Sequence, residues 1–412
     1  METNWAGNYV YAARGIARPV SVEQVQHLVA DERRVRTLGS RHSFNGLPDT
    51  EGVLVSLSEL PTTVTVNEGS GTAWVTGLAT YGVVAPALEA QHWALGNLAS
   101  LPHISVAGAV ATGTHGSGDR SGSLATAVAG LDIVGPDGSL RRVVRGDPDF
   151  NGSVVGLGAL GVVVGVLLDL EPSYSVRQYV HTGLGWDQLT ENFDAITASA
   201  YSVSLFTRWD AEGIFQVWRK SRDEADHWGD GFFGARPATT TMHMLRGGPT
   251  AAVTPQLGAA GPWLERLPHF RMDFTPSRGE ELQSEYLLPR GRALEAIELL
   301  RGLGPQLSLL LQSCELRTVA ADDLWLSAAE GRDTVGFHFT WVRDVEGVYA
   351  LLPAVEAALL PLGARPHWGK CFVTSGADLA ASFPLMADFL ALRDRVDPER
   401  TFGNAFLETV LG

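Results

Sequence analysis

This chain of 412 residues is short of several things, and each shortage closes a class of function. It has two cysteines, Cys314 and Cys371, too few for a disulfide framework or a cysteine-ligated metal. Basic residues are outnumbered, 31 Lys+Arg against 46 Asp+Glu, for a formal charge of −15. Nucleic acid is thereby excluded as a main partner, since that affinity comes from cations neutralising phosphates. Charged residues make up only 19%, below the average of roughly a quarter, so a charge inside an apolar stretch is informative. Long apolar runs are missing too. The longest uncharged one, residues 154–168, is broken by Gly156, Gly158, Gly161 and Gly165, whereas a membrane span wants roughly twenty apolar residues. No basic stretch leads into an apolar core at the N-terminus, so no signal peptide and no membrane partner are expected, and the expected compartment is the cytoplasm. The 11 histidines show no H-E-x-x-H pair or other ligand spacing. No metal is therefore expected, and redox chemistry would need an organic cofactor.

Glycine, by contrast, is abundant, with 46 residues gathered where the chain turns or must lie against something. Length and 45% hydrophobic content lead one to expect two or three domains with large cores. Ser21 and Gln24 form a capping box ahead of a helix carrying Val22, Val25, Leu28 and Val29. A strand over residues 35–38 feeds the polar loop 39–46, a common setting for chemistry. Strands near 52–57, 62–66 and 73–76 are expected to continue one small mixed sheet. After a helix around 81–91, residues 97–118 carry no formal charge and are mostly small, so their backbone can approach a ligand closely. A hairpin of strands 131–134 and 140–144 and the apolar run to 168 close this half, with a boundary at Glu171-Pro172.

Beyond Tyr174 the texture changes, with Trp186, Trp209, Trp218, Trp228 and Trp263 among Gly- and Pro-rich loops. Strand 283–288, helix 291–303, strands 308–319 and 335–342, helix 345–360 and a strand from near His367 read as β-α-β-β-α-β. That is a ferredoxin-like sheet with helices on one face and the other free to cover something. No internal repeat is evident. Side chains two apart on a strand share a face, so Glu315 aligns with Arg317 and His338 with Thr340, joined by Gln283 and Lys370. A solvated face explains any one of these residues. Their setting in apolar strands such as LLLQSCELRTV favours a polar binding site for the set.

Two motifs fail on context. GLGALG at 156–161 fits the dinucleotide fingerprint, but the β-branched residues that follow make a strand where a helix is required. The stretch from Gly363 to Lys370 has the wrong spacing for a phosphate loop, and Cys371 replaces its hydroxyl. His42, next to Arg41 on a turn after a strand, stands out, although a loop-stabilising role explains it equally well when the loop is taken alone. The same holds for His115.

LGSRHSFN at 38–45, SLPHISVAGAVATGTHGSG at 100–118, GLGALGVV at 156–163, QSEYLLPR at 283–290, CELRTVAADD at 314–323 and RPHWGK at 365–370 occur in order along essentially the whole chain. Together they resemble the alditol oxidases, also called xylitol oxidases, of the vanillyl-alcohol-oxidase family of flavoproteins. The resemblance implies an α+β fold: an FAD-binding domain of two small α/β subdomains over 1–172, a ferredoxin-like cap over 173–366, and a segment 367–412 returning to the first domain. His42 would carry FAD covalently through its 8α-methyl group. Backbone amides of Thr37, Leu38, Gly39, Ser40 and Arg41, and of Ser105, Gly108, Thr112, Gly113, Thr114 and His115, would hold its pyrophosphate and ring, with Val163 at the adenine end. Arg41 stands where some relatives are expected to have a small residue.

For the substrate, the resemblance points to Ser100, Glu315, Arg317, Thr340 and Lys370, with Gln283 and His338 as neighbours and Ser100 close to the flavin. An alditol such as xylitol or sorbitol would pass a hydride from C1 to flavin N5, giving an aldose, and oxygen would reoxidise the flavin to release hydrogen peroxide. Glu315 would accept from adjacent hydroxyls, while Arg317 and Lys370 would face the C1 hydroxyl. Lys370, His338 or a water would serve as base. The small Ala99 leaves room for oxygen, and a monomer is expected. Two other readings stand beside this one: an aldonolactone oxidase or dehydrogenase of the same family, and a polyol-binding protein without catalysis. Acid-precipitated protein is expected to keep its yellow colour in the pellet, and His42→Ala to release it. A colourless protein that takes up no FAD would leave only the binding module.

Overall fold

Short parallel strands β1 (Gly15–Ala17), β2 (Val35–Thr37) and β3 (Val53–Val55) pair in the order β1-β3-β2, with α1 (Val22–Asp31) between the first two in sequence. The helix starts where the capping box places it, Ser21 Oγ accepting from the Gln24 amide, and its Val25 and Val29 pack with Val35 and Val55. The computed structural model describes residues 2–222, 231–274 and 279–412, so Trp228 lies outside the described residues.

The hairpin of β4 (Val64–Asn67) and β5 (Thr72–Thr76) does not extend this sheet, contrary to the expectation of one mixed sheet. It opens a second, antiparallel sheet after which come α2 (Tyr81–Glu89), β6 (Trp93–Ala94), α3 (Val106–Ala111), β7 (Val128–Val134), β8 (Leu140–Val144), α4 (Phe150–Val154) and β9 (Val162–Asp169). The strand order is β4-β5-β9-β7-β8. The cause is β9, an apolar strand that pairs on both edges and so draws β5 to one side and β7 to the other. The GLGALG stretch is the turn into β9. Gly161 has φ +140°, and a Cβ there would lie 2.5 Å from the Val134 carbonyl oxygen. No helix follows it, in keeping with the rejected dinucleotide fingerprint.

Past β10 (Glu171–Pro172) come β11 (Ser175–Leu184), α5 (Trp186–Thr197), β12 (Ser202–Thr207), β13 (Ile214–Ser221), β14 (Arg236–Pro237) and β15 (Gly261–Pro262). They are followed by β16 (Glu281–Pro289), α6 (Ala293–Leu307), β17 (Leu311–Val319), β18 (Thr334–Val342), α7 (Val345–Leu359) and β19 (Arg365–Pro366). These strands make a nine-stranded sheet, β14-β11-β13-β12-β17-β18-β16-β19, with β15 against β11. The half from β16 to β19 has the ferredoxin-like order. The other half repeats it as strand, helix, strand, strand, and the two meet where β12 runs antiparallel to β17, Leu205 opposite Leu316. No repeat is evident in the sequence of these two halves. Residues 345–362 are long and apolar enough to match a membrane span, with mean hydropathy 1.5; Val348, Leu352, Val355 and Leu359 are buried in the cap's core.

The strand expected from His367 stops at Pro366. The ladder to β16 resumes irregularly: the His367 amide donates to Glu285 O and the Cys371 amide to Gln283 O. Four residues on one side span two on the other, so Trp368, Gly369 and Lys370 are pushed out as a bulge. The chain then runs through α8 (Gly376–Ser382), α9 (Met386–Val396) and α10 (Ala405–Leu411) against the first domain. The Val35 amide donates to Thr401 O, and Asn404 Nδ2 to the carbonyls of Gly46, Leu47 and Asp49.

Arg36, 2% exposed, knots three pieces of chain together. Its guanidinium donates to the carbonyls of Leu47, Leu157, Gly158 and Phe402 at 2.5 to 2.9 Å. Arg36→Leu leaves these carbonyls without their donor and is expected to lower the unfolding free energy by roughly 3–5 kcal/mol, read as a fall in denaturant midpoint.

Candidate active site

A cavity of about 320 Å³ lies between the two domains. Its first wall is built from residues 37–43, 99–101, Ser105, Gly108, Thr112, Thr114, His115, Gly158 and Val163, with Arg36 and Trp5. The second comes from Gln283 and Glu285 on β16, Glu315 and Arg317 on β17, His338 and Thr340 on β18, and Lys370 on the bulge. Every residue predicted from the sequence lines it except Gly113. Gly113 instead turns the chain after α3, at φ +65°, its amide donating to Val110 O.

The carboxylates are confined to one side: Glu281, Glu285 and Glu315 all belong to the second wall, and the first has none. Several amides expected to hold an anion are already used inside the protein. Leu38 donates to Val55 O as β2 pairs with β3, Ser105 to Ser40 Oγ, and Thr114 to Ala109 O. Among the described residues, the amides of Gly39, Ser40 and Arg41 have no protein acceptor. An acid-free wall with free amides and two arginines suits the pyrophosphate of FAD. Arg317 Nε and Ser313 Oγ on the facing wall are buried without a hydrogen-bond partner among the described residues, which suits a polar ligand there. Arg41 has φ +63°, in the left-handed region that favours glycine, and pairs with Glu2 at 2.5 Å.

His42 stacks on Trp5 with ring centroids 4.9 Å apart. Its Nδ1 lies 2.8 Å from Ser40 O, which can only accept, so the ring carries its proton there and turns the Nε2 lone pair to His103 Nε2, 2.8 Å away. Burial, reinforced by His103, pushes the His42 imidazole down to about 3, so it is neutral. His103 lies within a quoted motif, but nothing in its spacing signals the contact with His42.

Glu285 is the centre of the second wall and was overlooked in the sequence. It is 1% exposed, and its oxygens lie 2.7 Å from Arg317 Nη2, 2.5 Å from Lys370 Nζ, 3.1 Å from His115 Nε2 and 3.5 Å from His338 Nδ1. Register explains the cluster: Glu315, His338 and Glu285 stand in one row across β17, β18 and β16. Arg317 is opposite Gly336, where a Cβ would lie 3.4 Å from Glu285 Oε1. The missing side chain lets the guanidinium reach across β18. Burial would raise the Glu285 carboxyl, but Lys370, His115 and Arg317 outweigh it and hold it well below the usual range. The same two-unit alternation that picked out Gln283 contains Glu285, so the signal was present.

Lys370 Nζ is also 2.5 Å from His338 Nδ1. Burial and then Arg317 lower the Lys370 ammonium against the pull of Glu285, and burial with Lys370 pushes His338 down to about 4. Arg317 is raised, Glu315 and Glu285 overcoming burial. Glu315 lies below the carboxylate range because Arg317 and His269 outweigh its burial, with His269 Nε2 2.9 Å from its Oε1. His269 Nδ1 in turn lies 3.1 Å from Lys220 Nζ. Neither His269 nor Lys220 was signalled, because one sits in an irregular segment and the other in a strand read only as part of a Trp-rich region. The Lys370 bulge is fastened to the His42 loop: the Phe44 amide donates to Gly369 O, and Asn45 Nδ2 to the carbonyls of Trp368 and Lys370.

His269 and His338 are both held near 4, whereas an unfolded imidazole takes its proton near 6.5. Their contribution to stability is therefore complete above pH 6.5 and is lost as pH falls towards 4. Unfolding free energy is expected to fall by about 1.4 kcal/mol per pH unit for each of them over that window, measured by denaturant titration at stepped pH.

Two family matches divide the chain: residues 13–143 match the FAD binding domain family and residues 275–410 the D-arabinono-1,4-lactone oxidase family. The alditol oxidase of Streptomyces sp. is 47% identical over 412 residues, covering 99% of this chain and 98% of its own. The L-gulono-1,4-lactone dehydrogenase of Mycobacterium tuberculosis is 29% identical, covering 100% and 99%. A cholesterol oxidase from B. sterolicum superposes with a TM-score of 0.78 over 100% of this chain and 96% of that one, at 14% identity, a likeness of fold alone. With a cavity that suits FAD, a polar strand face opposite it and close identity along the full length, the chain belongs to the alditol oxidase family of FAD-binding flavoproteins.

Proposed function

We propose that this protein oxidises the terminal hydroxyl of an alditol such as xylitol or sorbitol to the aldose, with FAD as cofactor. The observation that carries this reading is that one cavity joins the acid-free wall to the Glu315, Arg317 and Lys370 face, in a chain 47% identical to an alditol oxidase. Bound FAD would supply the acceptor for the C1 hydride and pass its electrons to oxygen, giving hydrogen peroxide. His42, neutral and on the cavity wall, is the residue that would join the flavin covalently.

The remaining work falls to the second wall. Glu315, ionised and with one oxygen turned away to His269, accepts from vicinal hydroxyls of the polyol. Ser100, Thr340 and Gln283 line the same space and add polar groups for the chain of hydroxyls. Arg317 stays charged and stabilises negative charge on the C1 oxygen as its proton leaves. The choice of base narrows to Lys370. His338 Nδ1 faces the Lys370 amine and accepts from it, which puts the imidazole proton on Nε2 and makes that nitrogen a donor. Lys370, its affinity for a proton lowered by burial and Arg317, takes the hydroxyl proton, and Glu285 balances the resulting ammonium.

Peroxide production with xylitol and sorbitol, and much less with a lactone such as L-gulono-1,4-lactone, is the expected assay result. No turnover of any alditol would overturn this reading. Because the base must be unprotonated, kcat/KM for xylitol is expected to rise with pH and level off at a limb below the ordinary lysine range. Lys370→Met should abolish the limb and cost roughly 10²–10⁴ in rate. Glu285→Gln, which removes the carboxylate that favours the ammonium, should move the limb to lower pH.

A further inference from the structure

Lys220 is a charge with no evident business where it lies. It is 1% exposed, near the end of β13, and does not line the cavity. Its strand neighbours in register are the neutral Gln178 and Ser202. Among the described residues no carboxylate touches it; its Nζ donates to Leu267 O and to His269 Nδ1. An ammonium buried without a direct counter-ion is costly, and a methionine would fill the same space without that cost. Burial and Arg317 drive its proton affinity down to about 7, with Glu315 opposing.

Its position specifies the next residue. A protonated lysine can only donate, so His269 must accept at Nδ1 and carry its own proton at Nε2. That proton points at Glu315 Oε1, 2.9 Å away. In the opposite tautomer a lone pair would face the carboxylate. The ring is also held mechanically, by the edge of Trp218 at 4.9 Å between centroids and by Phe206 at 5.8 Å. On the other side, Glu315 Oε2 stops 3.7 Å from Arg317 Nε, which has no hydrogen-bond partner. The acid and the arginine are thus held just short of closing on each other.

From this arrangement we infer that Lys220 and His269 are a positioning relay that keeps Glu315 off Arg317, so that a polyol hydroxyl can bridge the gap between them. This rests on the proposed alditol oxidation, and it assigns the preference for polyhydroxylated substrates partly to a residue that never meets the substrate. Lys220 sets the tautomer, His269 pulls Oε1 away, and Oε2 and Arg317 Nε are left as an acceptor and a donor at a spacing one hydroxyl can fill. Without the relay, Glu315 swings to Arg317 and the slot closes. Binding of the polyol suffers, whereas the chemistry at Lys370 continues once the substrate is seated.

The test is steady-state kinetics of the full-length holoenzyme with xylitol. Lys220→Met is expected to raise KM roughly ten- to hundredfold, the loss of a hydrogen bond to a charged group, with kcat changed by no more than about twofold. A glutamine at 269 donates to Glu315 whatever stands at 220. The double variant Lys220→Met/His269→Gln should therefore have a KM no higher than that of His269→Gln alone, a non-additivity that general loosening of the core does not produce. An unchanged KM in Lys220→Met, an equal fall in kcat and kcat/KM, or additive effects in the double variant would overturn the relay. Should Lys220→Met fail to fold, Lys220→Leu on the His269→Gln background carries the same comparison. Wild-type holoenzyme that turns over no alditol overturns the function beneath the relay, an outcome distinct from any of these.

Discussion

The buried carboxylate of Glu285 is the interaction on which the candidate site depends. It draws Arg317 from β17 across the intervening β18, Lys370 from a bulge after the last cap strand, and His115 from the first domain, all within 3.1 Å. Isolated in a low-dielectric interior, any of these charges would be driven towards its neutral form. Within the cluster, Arg317 is raised by its carboxylate partners, and a carboxylate that should be raised by burial is held low. Removing one member leaves the others unpaired in a dry setting, which is why such clusters cost far more to break than they contribute as a whole. The cluster also joins the domains, because the position of His115 relative to Lys370 is decided at the same carboxylate.

Much of this architecture was legible because alternation and periodicity are local. The face shared by Glu315 and Arg317, or by His338 and Thr340, follows from a period of two, and the order of elements from 283 onward follows from where the period changes. The rejection of a nucleotide fold at GLGALG rested on β-branched residues that do form β9. What escaped notice is non-local. Whether β5 extends the first sheet or opens another depends on β9, about ninety residues later. The bulge that presents Lys370 depends on register against β16, and the contact between His42 and His103 depends on two loops meeting. Glu285 is a different kind of omission, because it obeys the period and was passed over while its neighbour Gln283 was noticed. The repeat across the cap is invisible for another reason: hydrophobic alternation specifies a strand-helix-strand-strand unit equally well with unrelated residues.

The division of charge between the two walls follows from what each has to face. A pyrophosphate brings negative charge, and carboxylates near it in a poorly hydrated cavity would repel it strongly. The first wall answers with backbone amides, two arginines and small residues. The polyol proposed for the second wall is neutral and presents many hydroxyls, which call for both donors and acceptors, and the cavity's carboxylates all lie on that wall. A low share of charged residues makes this separation possible. In a chain with 19% charged residues, strands can carry a few ions inward without competing ions nearby.

Separate walls bring a further requirement, since a base and a cofactor on different domains must keep a fixed spacing to within a fraction of an ångström. Here the spacing does not rely on the domain interface as a whole. Phe44 and Asn45, two and three residues after His42, bond to the carbonyls of Trp368, Gly369 and Lys370, so the loop of the proposed flavin-bearing histidine and the bulge bearing the proposed base are one hydrogen-bonded unit. One backbone amide and one side-chain amide thus tie the two segments directly. The irregularity after Pro366 is therefore what makes the alignment possible, because a regular edge strand would turn only alternate carbonyls away from its partner, whereas the bulge offers three consecutive ones, those of residues 368–370, to the loop.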